Sequence, residues 1–380
     1  MTDKEKQIDT ILKKIAYEIS ITPTMLDKAV DSYESVGKWL SEGIPYEIVI
    51  MPQGSINLGT TNKPISDKDD YDIDLVCLLK NGQELSASEI KNIVGDRLKE
   101  NKIYYEKILK EGEGKRCWKM QYNEFHMDIL PCVPKSIYKE PDKTDVRLTH
   151  KINNTMYEDK YSNPYGYHTW FEQQMKEILE EKKKEFALNN KIEIKDVPTY
   201  QVKTPLQMAV QILKRHRDVL FQRDKDNAPI SIIITTLAAK AYCGENNLFE
   251  ALSTILTHMA DYIEIKDGDY WVANPTMSQE NFADKWKKYP IRHDLLLSWI
   301  KQAKNDLLVL PLKKVGIDEI SKHYEKVLGE APVKRAITTY ADEMYKARKN
   351  NKLYSAGLTN GLTVNLNNDN KRVKDHTFYD

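Results

Sequence analysis

The segment Tyr71-Asp72-Ile73-Asp74-Leu75-Val76 carries the pattern that decides the fold of this chain. Side chains on a strand alternate between its two faces, so Asp72 and Asp74 point together while the apolar residues between them point the other way. A second segment, Phe125-His126-Met127-Asp128-Ile129-Leu130, repeats this alternation and leaves Asp128 opposite an apolar face. The two segments predict neighbouring strands of one sheet, with three carboxylates brought together on one face.

Three converging carboxylates repel one another unless cations neutralise them. Hard oxygen ligands of this kind favour Mg²⁺ or Mn²⁺ over zinc. Two such ions about 3.5–4 Å apart bind a triphosphate, lower the pKa of an attacking hydroxyl and stabilise the departing pyrophosphate. We therefore predict that Asp72 and Asp74 hold both ions. Asp128 is expected to hold the ion on the nucleophile side and to accept the proton of the attacking hydroxyl.

A glycine-serine turn precedes these strands in Gln53-Gly54-Ser55, at the end of the apolar run Tyr46 to Met51. Backbone N–H groups in such a turn favour an anion. Glycine lets the main chain approach closely, and the Ser55 hydroxyl can donate to a phosphate oxygen. Alone, the turn is typical of any loop, and the aspartates with Asp70 beside them are typical of a solvated acidic loop. Their combination in this order favours nucleotidyl transfer.

At these residues the chain resembles the polymerase-beta-like nucleotidyltransferases, and within them the cGAS/DncV-like enzymes (CD-NTases), bacterial relatives of cyclic GMP-AMP synthase and oligoadenylate synthase. The likeness rests on Gln53-Gly54-Ser55, on Asp72-Ile73-Asp74 and on Asp128, and it extends through residues 204–218, 229–231 and 274–286. The resemblance implies an α+β fold, in which a nucleotidyltransferase core of mixed sheet and helices is joined to a helical lobe. It also implies an active site in the cleft between the two lobes.

The resemblance further implies a metal-dependent enzyme that joins ribonucleoside triphosphates, ATP first among them, into a cyclic di- or trinucleotide messenger. Pyrophosphate is released at each bond, and the messenger activates a separate effector in antiphage defence of the CBASS type. In such enzymes a lysine and a serine of the helical lobe contact the donor triphosphate, and Lys214 and Ser231 match them here. Gln53 and Asn274 are further candidates for nucleotide binding.

Apolar periodicity outlines the organisation of the chain. It predicts a helical spine over residues 4–19 and 24–39, strands between 48 and 133, and further helices at 88–101, 169–188, 205–221, 230–242 and 280–286. We therefore expect a spine and catalytic lobe in residues 1–168, a helical lobe in 169–349 and a tail in 350–380. Ser86 or Ser88 and Thr204 are the expected helix N-caps, Pro205 suits a first turn, and Ser231 suits either an N-cap or the phosphate contact.

Composition agrees with a cytoplasmic enzyme. The 380 residues carry 57 basic and 57 acidic side chains, and this balance disfavours extended binding of nucleic acid. No stretch is apolar enough to span a bilayer, and the charged first residues lack the pattern of a signal peptide. The four cysteines show no zinc-site spacing, so we expect reduced and mostly buried thiols.

Three points stay open at this stage. One alternative is a linear oligonucleotide synthase or a tRNA-directed nucleotide-adding enzyme, which the neutral charge disfavours. Another is a catalytically silent nucleotide-binding protein, which the retained carboxylates disfavour. A regulatory partner is also compatible with the sequence, and the ending His376 to Asp380 resembles the termini of relatives that a ubiquitin-transfer-like partner conjugates to other proteins. Asp380 stands where those relatives usually end in glycine or alanine.

Overall fold

The computed structural model describes residues 1–66, 70–136, 144–197, 202–356, 361–363 and 371–373. Its internal contacts separate two compact units. We call Ile21–Lys176 together with Ala273–Phe282 the sheet unit. Met1–Ser20, Glu177–Val272 and Ala283–Asp380 form the helical unit. This combination of a mixed sheet with helices and a mainly helical unit confirms the predicted α+β class.

The sheet unit is built on six strands in the order β1-β2-β4-β5-β6, with β3 paired to the first half of β4. The strands are β1 (Ile48–Gln53), β2 (Tyr71–Leu79), β3 (Trp118–Gln121), β4 (Phe125–Pro134), β5 (Val146–Lys151) and β6 (Tyr157–Ser162). Strands β2 and β4 run parallel, and the other pairs are antiparallel. The two segments with alternating aspartates are therefore neighbouring strands, as predicted.

One face of this sheet packs the core of the unit. Every second residue of β2 and β4 is buried there with apolar residues of α2 (Pro23–Gly43), α4 (Ala87–Glu100) and α5 (Lys102–Glu111). Ile73, Leu75, Met127 and Ile129 have no exposed surface. Because strand side chains alternate, this burial turns the intervening polar residues to the opposite face.

The helix α4 begins at a capping box. The Ser86 hydroxyl accepts from the Glu89 backbone N–H, and the Glu89 carboxylate accepts from the Ser86 backbone N–H. Of the two predicted caps, Ser86 is therefore the one used. A helical turn of four residues, α3 (Gly54–Asn57), follows β1.

The helical unit is dominated by helices, and its strands are short. Its helices are α1 (Asp3–Ile19), the second part of α6 (Pro164–Asn190), α7 (Pro205–Leu220), α8 (Ser231–Ala241), α9 (Leu248–His258), α10 (Ile291–Lys304), α11 (Leu310–Lys313), α12 (Ile317–Leu328) and α13 (Glu330–Lys349). Its strands are β7 (Glu264–Lys266), β8 (Asp269–Trp271), β11 (Tyr354–Ala356), β12 (Gly361–Thr363) and β13 (Lys371–Arg372). No helix among the described residues is long and apolar enough to cross a membrane.

Helices α7 and α8 carry the two candidate residues of the helical unit. Helix α7 begins as predicted, with Thr204 as N-cap and Pro205 in the first turn, and Gln207 completes a capping box. Helix α8 has Ile230 at its N-cap position, so Ser231 is the first helical residue and not a cap.

The prediction of a helix over 280–286 is wrong. Strands β9 (Ala273–Asn274) and β10 (Met277–Asn281) form a small antiparallel hairpin in the sheet unit. Its turn is held by the Asn274 side chain, which accepts from the Thr276 backbone N–H at 3.0 Å. Residues 280 and 281 lie in β10, where Asn281 pairs with Ala273, so the start of the predicted helix is used in strand pairing. A short 3₁₀ turn, Asp284–Trp286, follows in the helical unit.

The predicted linear boundaries between lobes also need correction. Residues 1–20 belong to the helical unit, because the apolar side of α1 packs against α7, α9 and α13. Residues 273–282 belong to the sheet unit, because their hairpin contacts β6. The boundary at Lys176 falls inside α6. The ending His376 to Asp380 lies outside the described residues.

Candidate active site

Four residues lie in one row across four adjacent strands of the sheet. Gln53 of β1 pairs with Asp74 of β2, Asp74 pairs with Asp128 of β4, and Asp128 pairs with Lys119 of β3. Directly paired residues carry their side chains on the same face of a sheet. The row therefore sets an amide, two carboxylates and an ammonium side by side, opposite the core. We call these four residues the carboxylate row.

The next row on this face contains Asp72, His126 and Gln121. Asp70 lies beside it, with its Oδ2 3.1 Å from His126 Nε2 and 2.6 Å from Gln121 Nε2, which donates to it. The sequence alone predicted no role in the site for Asp70, His126 and Gln121. The signal that would have found them is the alternation that places His126 on the face of Asp128.

The three aspartates reach water to different degrees. Asp72 is exposed, whereas Asp74 and Asp128 are partly buried. Within the part of the chain that the structure describes, no three histidine, cysteine or acidic side chains converge into a ready metal cage. Like charges on adjoining positions repel, which opposes such convergence in the protein alone.

The donor set nevertheless fits a hard divalent cation. Mg²⁺ keeps several waters and is usually bound by one or two carboxylates together with substrate phosphates, not by an all-protein cage. Asp74 and Asp128, paired in register on a face that water reaches, supply this arrangement, and Asp72 stands one row away. The face therefore suits ions that enter with a phosphate-bearing substrate.

Asp128 has a close neighbour that sequence reasoning missed. The Cys117 Sγ lies 3.2 Å from Asp128 Oδ2. Burial, followed by the nearby Asp128 carboxylate, raises the pKa of the Cys117 thiol to about 12. All four cysteines are free and three of them are buried, as expected, but the contact between a thiol and this carboxylate follows only from the pairing of β3 with β4.

The glycine-serine turn lies directly against the carboxylate row. Gly54 has φ +62°, and a Cβ added to it would stand 2.5 Å from Asp74 Oδ2. Only glycine therefore brings the main chain this close to the carboxylate without strain. The Ser55 hydroxyl accepts from the Thr61 hydroxyl at 3.0 Å, so its own proton remains available for donation.

The two candidates from the helical unit lie on consecutive helices. Lys214 is buried on α7, and Ser231 begins α8 with its hydroxyl accepting from Arg217 Nη2 at 3.2 Å. Arg217 also donates to the backbone carbonyl of Pro229. One guanidinium thus ties the end of α7 to the start of α8 and sets the position of Ser231 in this unit.

The basic run after Leu213 is not the exposed helix end that its composition alone suggests. Lys214, Arg215 and His216 are all buried. His216 Nδ1 accepts from Trp299 Nε1 at 3.1 Å, so its Nε2 donates to Asp306, 3.2 Å away. These contacts give His216 a structural role, in agreement with the absence of any catalytic prediction for it.

Asn274 is buried in the hairpin of the sheet unit. Its Nδ2 donates to Glu280 Oε2 at 2.8 Å, and its Oδ1 accepts from both the backbone N–H and the hydroxyl of Thr276. This arrangement favours a structural role for the side chain. The nucleotide contact suggested for Asn274 stays a prediction.

Comparisons with known proteins identify the relatives of this chain. The sequence model of the family described as "Cyclic GMP-AMP synthase DncV-like, nucleotidyltransferase domain" matches residues 49–132, which run from β1 into β4. A c-di-GMP synthase from Roseivirga ehrenbergii is 31% identical over 358 residues, which cover 92% of this chain and 91% of that protein. The cyclic dinucleotide synthase CdnG from Bradyrhizobium diazoefficiens is 23% identical, and the match covers 88% of this chain and 83% of that protein.

The fold has solved counterparts as well. The structure of Bradyrhizobium diazoefficiens CdnG in complex with GTP superimposes with a TM-score of 0.70 at 21% identity, and the match covers 88% of this chain and 99% of that one. At this identity the likeness concerns the fold.

Proposed function

Because this chain belongs to the DncV-like nucleotidyltransferases, we propose that it joins two purine ribonucleoside triphosphates into a cyclic dinucleotide and releases pyrophosphate at each bond. The match to the family model and to a relative of 31% identity confirms the predicted family and enzyme class. The relative with 31% identity over most of both chains is named for a product built from guanine nucleotides, which supports GTP as the first substrate to test. This choice replaces ATP, the default at the level of sequence.

The carboxylate row is the observation that carries the proposal. Parallel pairing places Asp74 opposite Asp128, and Gly54 brings the main chain of the turn to the same carboxylate. Nucleotidyl transfer needs this combination, because the reacting phosphorus must lie between metal ligands and groups that bind the rest of the triphosphate.

The three aspartates of this face would divide the work between them. Asp72 and Asp74 would hold two divalent cations, Mg²⁺ or Mn²⁺, with Asp128 completing the site on the side of the nucleophile. When bound, such ions lower the pKa of an attacking ribose hydroxyl and neutralise charge on the leaving pyrophosphate. Asp128 lies within the row on the side away from the turn, where its carboxylate can accept the proton of that hydroxyl.

The turn and the helical unit would bind the phosphates. The backbone N–H groups of the Gly54-Ser55 turn would favour an anion, and the Ser55 hydroxyl has a proton to donate to a phosphate oxygen. Gln53 stands beside Asp74 and can position the nucleotide at the end of the row. Lys214 and Ser231 are proposed to contact the donor triphosphate, as their match to the family implies.

The product would act as a second messenger that activates a separate effector in antiphage defence. A linear product is the competing outcome, because the three aspartates do not by themselves choose the acceptor. We keep it as an alternative result of the assay.

The test is to incubate the purified protein with each of the four labelled ribonucleoside triphosphates, alone and in pairs, with Mg²⁺ or Mn²⁺. Phosphatase treatment followed by chromatography and mass spectrometry then detects protected products. We expect a phosphatase-resistant cyclic dinucleotide that contains guanine and is missing from the Asp72→Ala/Asp74→Ala variant. A product that the double variant still makes would refute the site. A product that loses terminal phosphates to phosphatase would favour linear synthesis.

A further inference from the structure

The residue directly before β3 brings a thiol to Asp128 of the carboxylate row. Cys117 directly precedes β3, and its side chain points to the face of Lys119, opposite to the buried Trp118 between them. Because Lys119 pairs with Asp128, Cys117 is the diagonal neighbour of that aspartate, and Sγ lies 3.2 Å from Asp128 Oδ2. Diagonal neighbours of this kind are within contact distance in an antiparallel pair.

The direction of this hydrogen bond follows from the chemistry of the two groups. An ionised carboxylate only accepts, so the thiol is the donor. The bond engages one carboxylate oxygen, Oδ2, and leaves Oδ1 to face a metal ion or the hydroxyl of a substrate. A carboxylate held by one oxygen loses the freedom to rotate about its terminal torsion, which is broad in the absence of contacts.

The thiol is itself held in place. Cys117 is 7% exposed, and a Cβ on Gly114 would stand 2.6 Å from its Sγ, so the preceding turn packs closely against the sulfur. The fully buried Lys91 holds that turn. Its Nζ donates to the Gly114 carbonyl and lies 3.4 Å from Glu113 Oε1. Trp118 adds a second anchor by donating to the Lys91 carbonyl at 3.0 Å.

We propose that Cys117 is a positioning residue for nucleotidyl transfer, which orients Asp128 by donating a hydrogen bond to its Oδ2. This inference rests on the proposed function of Asp128. It adds a residue that the motifs Gln53-Gly54-Ser55 and Asp72-Ile73-Asp74 and the single Asp128 do not contain. Partners that orient metal ligands are typically worth about 10- to 100-fold in metal affinity or activity.

The experiment compares Cys117→Ala with Cys117→Ser. Both remove the sulfur and have similar volumes, but only serine keeps a donor. The rate of product formation is measured against Mg²⁺ and against nucleotide concentration. We expect Cys117→Ala to lower kcat and to raise the half-maximal Mg²⁺ concentration by about tenfold, at the lower end of that range because a thiol is a weak donor. The nucleotide KM should change little, and Cys117→Ser should recover most of the loss.

Cys132→Ala is the matched control. Cys132 lies on the same strand as Asp128 and on the same side, but it is fully buried in a small apolar cluster with Val76, Val146 and Leu148. Its truncation should lower Tm and leave the Mg²⁺ dependence unchanged. A thermal-shift titration of each variant with Mn²⁺ reads out metal binding without turnover.

The outcomes distinguish a failure of the positioning role of Cys117 from a failure of the proposed function. Equal losses in the alanine and serine variants, or wild-type Mg²⁺ dependence in Cys117→Ala, would overturn the positioning role while the enzyme remains a nucleotidyltransferase. Absence of any product from the wild-type protein would instead count against the proposed function. If Cys117→Ala does not fold, a serine variant with wild-type kcat and Mn²⁺ shift supports the role, and one with a tenfold deficit contradicts it.

Discussion

The carboxylates on the open face of the sheet unit and the basic side chains on and next to α7 of the helical unit are held in opposite ways. In the sheet unit, carboxylates lie on adjacent strands of an open face, where Asp72 is exposed and its neighbours are partly buried. In the helical unit, Lys214 and Arg215 are buried on α7. Carboxylates that bind ions from solvent must stay accessible to water and tolerate mutual repulsion until the ions arrive. Buried cations need protein acceptors at all times.

Lys203, a part-buried lysine next to α7, shows how the helical unit meets that need. Its Nζ donates to the Ser20 hydroxyl at 2.6 Å and to Gln211 Oε1 at 2.7 Å, both of which are neutral. Burial, followed by the charge of Lys214, lowers the pKa of Lys203 to about 7. The comparison teaches that the carboxylate row needs cations from solvent to balance its charge, whereas at Lys203 burial favours the loss of the charge itself.

The largest effect is expected from Asp74→Asn, which keeps the shape of the side chain and removes one charge from the carboxylate row. Metal ions contribute several kcal/mol to such a transition state, so product formation should fall by about 10³-fold or more. Without metal, Tm should stay the same or rise, because a repulsion between carboxylates is relieved.

Thermal melts with and without Mn²⁺ check this contrast. The wild-type protein should gain stability from the ion and Asp74→Asn should not. If Mn²⁺ raises the Tm of the variant as much as that of the wild-type protein, the ions bind elsewhere and the comparison between the units fails.

The second-largest loss of product formation is expected from Gly54→Ala. The positive φ costs about 1–3 kcal/mol of stability for a residue with a Cβ, and the methyl group would displace the Asp74 carboxylate. A displacement of about 1 Å at a reacting centre can lower the rate about 100-fold. The assay is the same product assay, together with denaturant unfolding.

Gly112→Ala is the control for backbone strain in the same unit. Gly112 also has a positive φ, +81°, but a Cβ there would meet nothing within 4 Å. It should lose stability and keep its activity. Similar losses of activity in both variants would mean that instability, not the contact with Asp74, explains the effect.

Lys214→Met should mainly weaken nucleotide binding. If the ammonium contacts the donor triphosphate, its removal costs a charge-assisted hydrogen bond, which corresponds to about a 10- to 100-fold rise in Kd for the triphosphate. Titration with a non-hydrolysable analogue measures this Kd. Lys240→Met, at a part-buried lysine of α8, is the matched variant and should bind normally. Normal binding by Lys214→Met would remove this residue from the donor site.

The smallest effect concerns Lys203 and pH. Its pKa is about 7 in the folded chain, against the ordinary lysine value of 10.5 in the unfolded chain, so between these limits the unfolded state binds one more proton. Stability from this group therefore rises as pH increases from about 7 toward 10.5, and below pH 7 the folded chain must carry the buried charge. Urea unfolding at about pH 6 and about pH 9, on either side of the lowered pKa, measures the difference.

The wild-type protein should gain stability relative to Lys203→Met between these two pH values. The exposed Lys195 provides the control, since Lys195→Met should show no such pH-dependent difference. A constant difference between wild type and Lys203→Met would show that Lys203 keeps its proton when buried.

Much of the candidate site was predictable because it depends on near neighbours in sequence. Alternation along Tyr71–Leu79 and Phe125–Pro134 determines which side chains share a face, whatever the strands pair with. The same holds for helix starts such as Thr204-Pro205, where the capping groups lie within one turn. These local rules led to Asp72, Asp74, Asp128 and the turn at Gly54.

The sequence by itself thus determined which functional groups the chain carries and which of them share a face of a strand. Only the tertiary structure decided the register that sets Asp74 opposite Asp128, the contact of Cys117 with that aspartate, and the place of α1 in the helical unit. The strand end and 3₁₀ turn in place of a helix over 280–286 and the contact of Lys203 with Ser20 belong with these. The physical reason is that each depends on residues distant in sequence, whose pairing is selected by the free energy of packing the whole core and by no local preference.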